Sequence, residues 1–221
     1  MTPTEATTSV LDGLNALQIP YMLVGSFSSN YYGIPRSTKD ADFVVHLQPG
    51  MLSNLAARIG PPFRLDRQMS FETVTATRRY VMHLDDDPFS VEFFLLSDEA
   101  HDRERFSRRQ QTRILDRDAY MPTVEDVIVT KLRWSHAGNR SKDMDDVRNV
   151  ISVQGDRIDW AYVNSWCDRH GTRELLEQTR DSLALSEAQK TELDRRLEAF
   201  RQSPGGGSSW EEVKARIQVK K

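Results

Sequence analysis

The sequence predicts an α/β fold in which a small mixed sheet is followed by a helical C-terminal region. Short apolar runs bounded by turn residues, which are typical of strands, alternate with helical patterns over residues 1–121. Helical periodicity dominates residues 122–185, and a polar segment with a Gly-rich joint occupies residues 186–221. We therefore expect three segments with these boundaries.

The first segment contains both element types. Helices are expected over residues 4–17, 26–32 and 50–59, and strands over residues 21–24, 40–47, 71–75 and 80–84 and around Glu92. Gly60-Pro61-Pro62 is a firm stop after the third helix. A hairpin over residues 112–115 and 119–121, turned at Arg117-Asp118, closes the segment.

The second segment is predicted to be helical throughout. Thr123 and Asp126 have the spacing of a capping box, which indicates that a helix starts there. Another helix is expected from Arg140, and two amphipathic helices are expected over residues 159–170 and 174–185. In the third segment, the capping patterns at Ser186 and Ser209 predict two short helices on either side of a flexible joint over residues 203–208.

Composition excludes several classes of protein. The chain has 221 residues, a net charge of −3 and 29% charged residues, so its overall charge favours neither nucleic acid nor a membrane surface. A single cysteine, Cys167, argues against a disulfide framework. The polar N-terminus is unlike a signal peptide, and no apolar run approaches the ~20 residues that span a bilayer. These features predict a cytoplasmic protein.

The stretch from residue 21 to residue 47 carries the clearest chemistry. Asp40 and Asp42 lie two residues apart in a predicted strand, so their carboxylates project from the same face. Such a pair repels unless a cation lies between them, and carboxylate oxygens suit Mg²⁺. Gly25-Ser26 ends the preceding strand and offers backbone N–H groups and a helix N-terminus to an anion. These residues predict a phosphate site beside a metal site; a solvated strand edge and an ordinary turn are the alternative.

The spacing of these residues resembles a known signature. Gly25-Ser26, thirteen further residues and Asp40-Ala41-Asp42 are similar to the motif of the DNA polymerase beta-like nucleotidyltransferase superfamily. The resemblance implies an NTP substrate, Mg²⁺ or Mn²⁺ as the cofactor, and a third carboxylate on a later strand, where Glu92 occupies a suitable place. It implies that Asp40, Asp42 and Glu92 bind the metal and catalyse the reaction, and that Gly25 and Ser26 bind the nucleotide.

Two cations precede the acidic pair, and a third lies in the helical segment. Arg36 and Lys39 either contact triphosphate oxygens or screen the aspartates. Lys131 lies among apolar positions, which is an odd place for a charge unless the side chain reaches inward.

Together with Glu125-Asp126, Arg140, Lys142, Asp143 and Asp146, Lys131 resembles the second half of AbiE-type toxin nucleotidyltransferases and their minimal relatives. This resemblance implies that the helical segment completes the active site. Lys131 would be catalytic and contact nucleotide phosphate, and Asp143 and Asp146 would belong to the nucleotide site. For Asp146, stabilisation of the helix dipole is an equal alternative.

The C-terminal segment resembles a different family. Residues 185–200 and 208–217 are similar to the small addiction-module component proteins, whose members pair with toxins. The resemblance implies a cognate toxin or antitoxin protein as a partner. An ordinary helical cap on the catalytic domain is the alternative.

These resemblances predict transfer of a nucleoside monophosphate from an NTP to an acceptor hydroxyl, with tRNA in a toxin–antitoxin context as the expected acceptor. If the acceptor is RNA, the arginine run is the natural place for its phosphates: Arg103, Arg105, Arg108 and Arg109. A solvated helix face is the ordinary explanation of such a run. Modification of a protein or a small molecule such as an aminoglycoside, and a non-catalytic antitoxin-like protein, are the other hypotheses.

Overall fold

The structure, a computed structural model, describes residues 1–66, 68–71, 77–85, 87–138, 140–183 and 187–202, without the side chains of 187–190. The chain divides into two compact units, Met1–Arg180 and Asp181–Lys221. None of the helices in the described part of the chain is long and apolar enough to cross a bilayer.

The first half of the chain alternates helices and strands, as predicted. Its elements are α1 (Pro3–Ala16), β1 (Tyr21–Val24), α2 (Gly25–Tyr32), β2 (Asp40–Val45), α3 (Met51–Ile59), β3 (Phe63–Leu65), β4 (Ser70–Phe71), β5 (Arg78–Leu84), β6 (Asp87–Leu95), α4 (Ala100–Ser107), β7 (Gln110–Ile114) and β8 (Arg117–Met121). The second half is helical, with α5 (Val124–Gly138), α6 (Ser141–Gln154), a 3₁₀ turn (Gly155–Arg157), α7 (Trp160–His170), α8 (Arg173–Leu183) and α9 (Glu187–Gln202).

The main sheet is mixed and has the strand order β1-β2-β6-β5-β3, with β4 paired to β5. Strands β2 and β6 run parallel, while the β1–β2, β5–β6 and β3–β5 pairs are antiparallel. Strands β7 and β8 form a separate hairpin. The α/β prediction with a mixed sheet is confirmed.

The two faces of the main sheet have different partners. One face packs against α1 and α3 in an apolar core that includes Leu11, Phe43, Leu55 and Phe93. On the opposite face, Met22, Val44 and Phe94 pack with Phe106 of α4 and Trp134 of α5. Because side chains alternate along a strand, the polar residues interspersed with this second set share its face.

Several predicted boundaries are wrong. The hairpin turns at Leu115 and Asp116, which both have positive φ, and not at Arg117-Asp118, which begins β8. Strand β3 was not predicted; Phe71 of the expected 71–75 strand ends β4, and residues 72–76 lie outside the described residues. The first tail helix forms as α9, and the predicted joint and second tail helix also lie outside the described residues.

Candidate active site

The register of two neighbouring strands brings the three predicted carboxylates onto one face of the sheet. Parallel pairing of β2 with β6 places Asp42 opposite Glu92 and Asp40 opposite Ser90. Residues that are paired across strands, and residues two apart along a strand, project from the same face. Asp40, Asp42 and Glu92 therefore face the same side, the side that carries α4 and α5.

The turn between β1 and α2 lies directly against Asp42. Gly25 has φ of +62°, and a Cβ atom built on it would lie 1.9 Å from Asp42 Oδ2. Only glycine combines this left-handed backbone with so close an approach. Ser26 is half-buried in the first turn of α2. The first backbone N–H groups of this helix have no partner within the helix, and they lie next to the Gly25–Asp42 contact.

The surroundings of Asp42 disfavour its charged form. Burial, followed by repulsion from Asp40 and Glu92, raises the pKa of Asp42 to about 7, while Lys131 and Arg140 act in the opposite direction. A divalent cation placed between the two aspartates would remove this repulsion. The donor set therefore suits a hard cation that takes carboxylate oxygens and completes its shell with water and phosphate.

The third carboxylate is held by a residue that the sequence analysis missed. Arg79 of β5 donates from Nη1 to Glu92 Oε2 at 2.5 Å. Thr38 donates to Asp40 Oδ1 at 2.7 Å. Within the described residues, no three His, Cys, Asp or Glu side chains already form a metal-binding group. Asp40 and Asp42 are thus the carboxylate pair without a salt bridge among the described residues, whereas Glu92 Oε2 is paired with Arg79.

Lys131 reaches inward, and two buried carboxylates hold it. Its Nζ lies 2.7 Å from Asp143 Oδ1 and 2.8 Å from Asp146 Oδ2. Arg36 donates to both oxygens of Asp146, from Nε and Nη2, at 2.8 Å each. Asp143 and Asp146 are 1% and 3% exposed. Although burial raises the pKa of Asp146, the hydrogen bonds from Arg36 and Lys131 lower it overall.

This ionic network changes how the two aspartates are interpreted. Asp143 also pairs with Arg140, whose Nε lies 3.1 Å from Asp143 Oδ2. Because both carboxylates face cations, they can fix the positions of Lys131 and Arg36 without contacting phosphate themselves. Lys39 is exposed and takes no part in the network as described. A cavity lined by Gly25, Asp42 and Lys131 joins the network to the carboxylate face of the sheet.

Three residues of the arginine run are wholly or partly buried within the protein, and the fourth, Arg103, is exposed as in a solvated helix face. Arg105 pairs with Asp102 at 2.8 Å, and both residues are buried. Arg108 pairs with Asp126 and lies over the Tyr162 ring. The other two contacts are Arg103 with Asp98 and Arg109 over Phe106. These arginines are engaged within the protein, so they do not present a free cationic patch.

Behind that run lies a second buried polar cluster. Asp126, which is fully buried, accepts hydrogen bonds from Tyr162 at 2.7 Å and Thr123 at 2.9 Å, and His101 Nε2 lies 3.4 Å away. Burial raises the pKa of Asp126, but bonds from His101 and Tyr162 lower it overall. Thr123 plays its part in the predicted capping box, since the Asp126 N–H donates to Thr123 Oγ1 at 3.4 Å, whereas the Asp126 carboxylate accepts from the Thr123 hydroxyl. This cluster ties α4, α5 and α7 together.

Solved structures share this architecture. The crystal structure of ANT(2")-Ia in complex with adenylyl-2"-tobramycin matches with a TM-score of 0.55 at 12% identity, over 77% of this chain and 99% of that one. The solution structure of the antibiotic-resistance factor ANT(2'')-Ia matches with a TM-score of 0.53 at 10% identity, over 82% and 97%. The crystal structure of a "putative nucleotidyltransferase" from H. pylori matches with a TM-score of 0.50 at 14% identity, over 86% of this chain and 84% of that one. The chain has a nucleotidyltransferase-like fold.

Sequence comparisons add one finding. The family model described as "Putative addiction module component" matches residues 173–213, so the likeness begins within α8 and includes most of the predicted tail. No curated protein matches the chain. The resemblance of the C-terminal segment to addiction-module components is supported, and the AbiE-type resemblance stays a prediction.

Proposed function

We propose that this protein is a metal-dependent nucleotidyltransferase that transfers a nucleoside monophosphate from an NTP to an acceptor hydroxyl. The observation that carries the proposal is the approach of Gly25 to Asp42, on a sheet face that also presents Asp40 and Glu92. A phosphate-binding turn and metal-binding carboxylates are then parts of one site, within a nucleotidyltransferase-like fold.

Each residue group has a role in this reaction. Asp40, Asp42 and Glu92 would hold Mg²⁺ or Mn²⁺, which would neutralise charge on the triphosphate. The backbone at Gly25-Ser26 binds the terminal phosphates through N–H groups. The acceptor oxygen attacks the α-phosphorus, Glu92 accepts the hydroxyl proton, and pyrophosphate leaves.

The cations balance the charge that develops on the phosphates. Lys131 and Arg36 contact the phosphates. Because Asp146 fixes the positions of both side chains, they need little reorganisation during the reaction. Asp143 supports Lys131 from the other side. Lys39, which is exposed, is the remaining candidate for a phosphate contact.

The first candidate acceptor is tRNA, in a toxin–antitoxin context. The match of residues 173–213 to addiction-module components supports this context and a cognate protein partner for the tail. Helix α9 exposes Leu193, Leu197 and Phe200, which share one helix face and suit such a partner. The second candidate is an aminoglycoside, because the ANT(2")-Ia structure that matches this chain contains adenylyl-2"-tobramycin.

The test is a label-transfer screen with the full-length protein. Each α-labelled NTP is combined with deacylated tRNA, tobramycin or a protein extract, in Mg²⁺, in Mn²⁺ and in EDTA. We expect one NTP–acceptor pair to be labelled by the wild type and not by Asp42→Asn. Asp145→Asn, a change at an exposed aspartate of α6, is the control and should retain activity. If no acceptor is labelled in a metal-dependent way, the proposed activity is refuted, and a non-catalytic binding protein is the hypothesis that stands.

A further inference from the structure

Arg79 contacts Glu92, but none of the catalytic roles proposed above involves it. In the β5–β6 register Val81 faces Glu92 and Arg79 faces Phe94, so Arg79 lies on the carboxylate face. Its Nη1 contacts Glu92 Oε2 at 2.5 Å, and its Nε donates to Ser70 Oγ at 3.3 Å. The Arg79 side chain is 30% exposed, so part of it is accessible to solvent beside Glu92.

The strand order places Arg79 and the phosphate-binding turn on opposite sides of the carboxylates. Gly25 follows β1 at one end of the β1-β2-β6-β5-β3 sheet, and Arg79 lies on β5, beyond β6. Asp42 and Glu92 lie on the two strands between them. If the proposed function holds, pyrophosphate leaves towards Gly25. In-line displacement then requires the acceptor hydroxyl to approach from the side of Glu92 and Arg79.

The charges on that side favour an anionic acceptor. Arg64 of β3 faces His83 of β5, which shares the face of Arg79. The Arg64 side chain is 67% exposed, and its Nε lies 3.9 Å from exposed Asp85 Oδ1. Such an exposed pair is weak, so Arg64 is available to an anion together with Arg79, outward from Glu92. A guanidinium matches phosphate oxygens in a bidentate way.

We propose that Arg79 is an acceptor-binding residue: it pairs with Glu92 in the free protein and, when the acceptor arrives, binds a phosphate of a polynucleotide next to the attacking hydroxyl. The exchange frees Glu92 to act at the metal site and on the hydroxyl proton. Acceptor binding and completion of the catalytic carboxylates are thereby coupled. This inference rests on the proposed function and adds to it the chemical class of the acceptor.

The test measures binding of labelled, deacylated tRNA to the full-length protein without NTP, by fluorescence anisotropy at several salt concentrations. Arg79→Gln should weaken binding by about tenfold and reduce the slope of log K against log salt by about 1. Arg79→Lys should fall between it and the wild type. Arg58→Gln is the control, because Arg58 is exposed on α3, which packs on the opposite face of the sheet.

A double-mutant cycle separates this role from simple neutralisation of Glu92. Glu92→Gln should strengthen tRNA binding in the wild-type background, because it releases Arg79. In the Arg79→Gln background, the gain in affinity caused by Glu92→Gln should be smaller by a factor of at least about three. The proposal is overturned if Arg79→Gln binds tRNA like Arg58→Gln, or if the effect of Glu92→Gln does not depend on Arg79. It is also overturned if Arg79→Gln raises tobramycin labelling and leaves tRNA binding unchanged. The binding cycle needs no catalysis, so the two failures are distinguishable: a failed labelling screen refutes the proposed function, and a failed binding cycle refutes the role of Arg79 in acceptor binding.

Discussion

Substitution of Gly25 by alanine tests the link between the turn and the carboxylates. The new Cβ would lie 1.9 Å from Asp42 Oδ2, and Cβ contacts under 3.0 Å essentially never occur, so the two groups must separate by about 1.1 Å. A displacement of about 1 Å in a catalytic group costs on the order of 100-fold in rate. The left-handed backbone adds a strain of about 1–2 kcal/mol for any residue with a Cβ.

Gly171→Ala is the matched control for that strain. Gly171 has φ of +67°, close to the +62° of Gly25, but no heavy atom lies within 4 Å of a Cβ built on it. It ends α7, away from the carboxylates. We expect both variants to lose about 1–2 kcal/mol from backbone strain in urea denaturation. Gly25→Ala alone should lose about 100-fold in label-transfer rate.

A double-mutant cycle makes the test independent of activity. Asp42→Ala removes the carboxylate and leaves its Cβ 3.0 Å from the built Gly25 Cβ. The loss in the free energy of unfolding caused by Gly25→Ala should therefore be smaller in the Asp42→Ala background than in the wild type. Equal losses in both backgrounds, or equal transfer rates for Gly25→Ala and Gly171→Ala, would refute the reasoning.

Three further substitutions probe the charges around the site. Asp146→Ala should cost about 1.5–3 kcal/mol of unfolding free energy, because Arg36 loses its carboxylate partner and Lys131 keeps only Asp143, against less than about 1 kcal/mol for exposed Asp145→Ala; similar losses in urea would contradict the network. Burial raises the pKa of Asp42 from 3.8 to about 7, so the free energy of unfolding should fall as pH rises between these values, by up to about 1.4 kcal/mol per pH unit. Asp42→Asn should remove that slope in EDTA, and a retained slope would assign it to another group. Tyr162→Phe should lose about 1.5–3 kcal/mol by calorimetry because it breaks a 2.7 Å bond to ionised Asp126; a loss below about 0.5 kcal/mol would contradict this.

Local patterns predicted the elements of the site well, because the relevant signals are short. The run from Tyr21, the break at Gly25-Ser26 and the i, i+2 spacing of Asp40 and Asp42 are each set by a few neighbouring residues. Helix α5 was likewise predicted from the Thr123 capping pattern. Resemblance, and not spacing alone, pointed to Glu92.

Contacts between residues that lie far apart in the sequence could not be predicted from local patterns. Arg79 meets Glu92 only because β5 and β6 pair in one particular register. Arg108 looked solvated because its partner Asp126 lies on another element. The hairpin turn was misplaced because Leu115 adopts a positive φ, which sequence preferences assign to Gly, Asn or Asp.

The distribution of ion pairs identifies where the site lacks charge compensation. Glu92 is paired with Arg79, and Lys131 is held by Asp146 and its neighbour in α6. Within the described part of the chain, neither Asp40 nor Asp42 forms a salt bridge, and burial, followed by repulsion from Asp40 and Glu92, raises the pKa of Asp42. A cation entering this site gains most at these two aspartates, because the carboxylates of Glu92, Asp143 and Asp146 are already paired with cationic side chains. Metal binding is therefore expected to begin there, and recruitment of Glu92 is expected to follow the arrival of the acceptor.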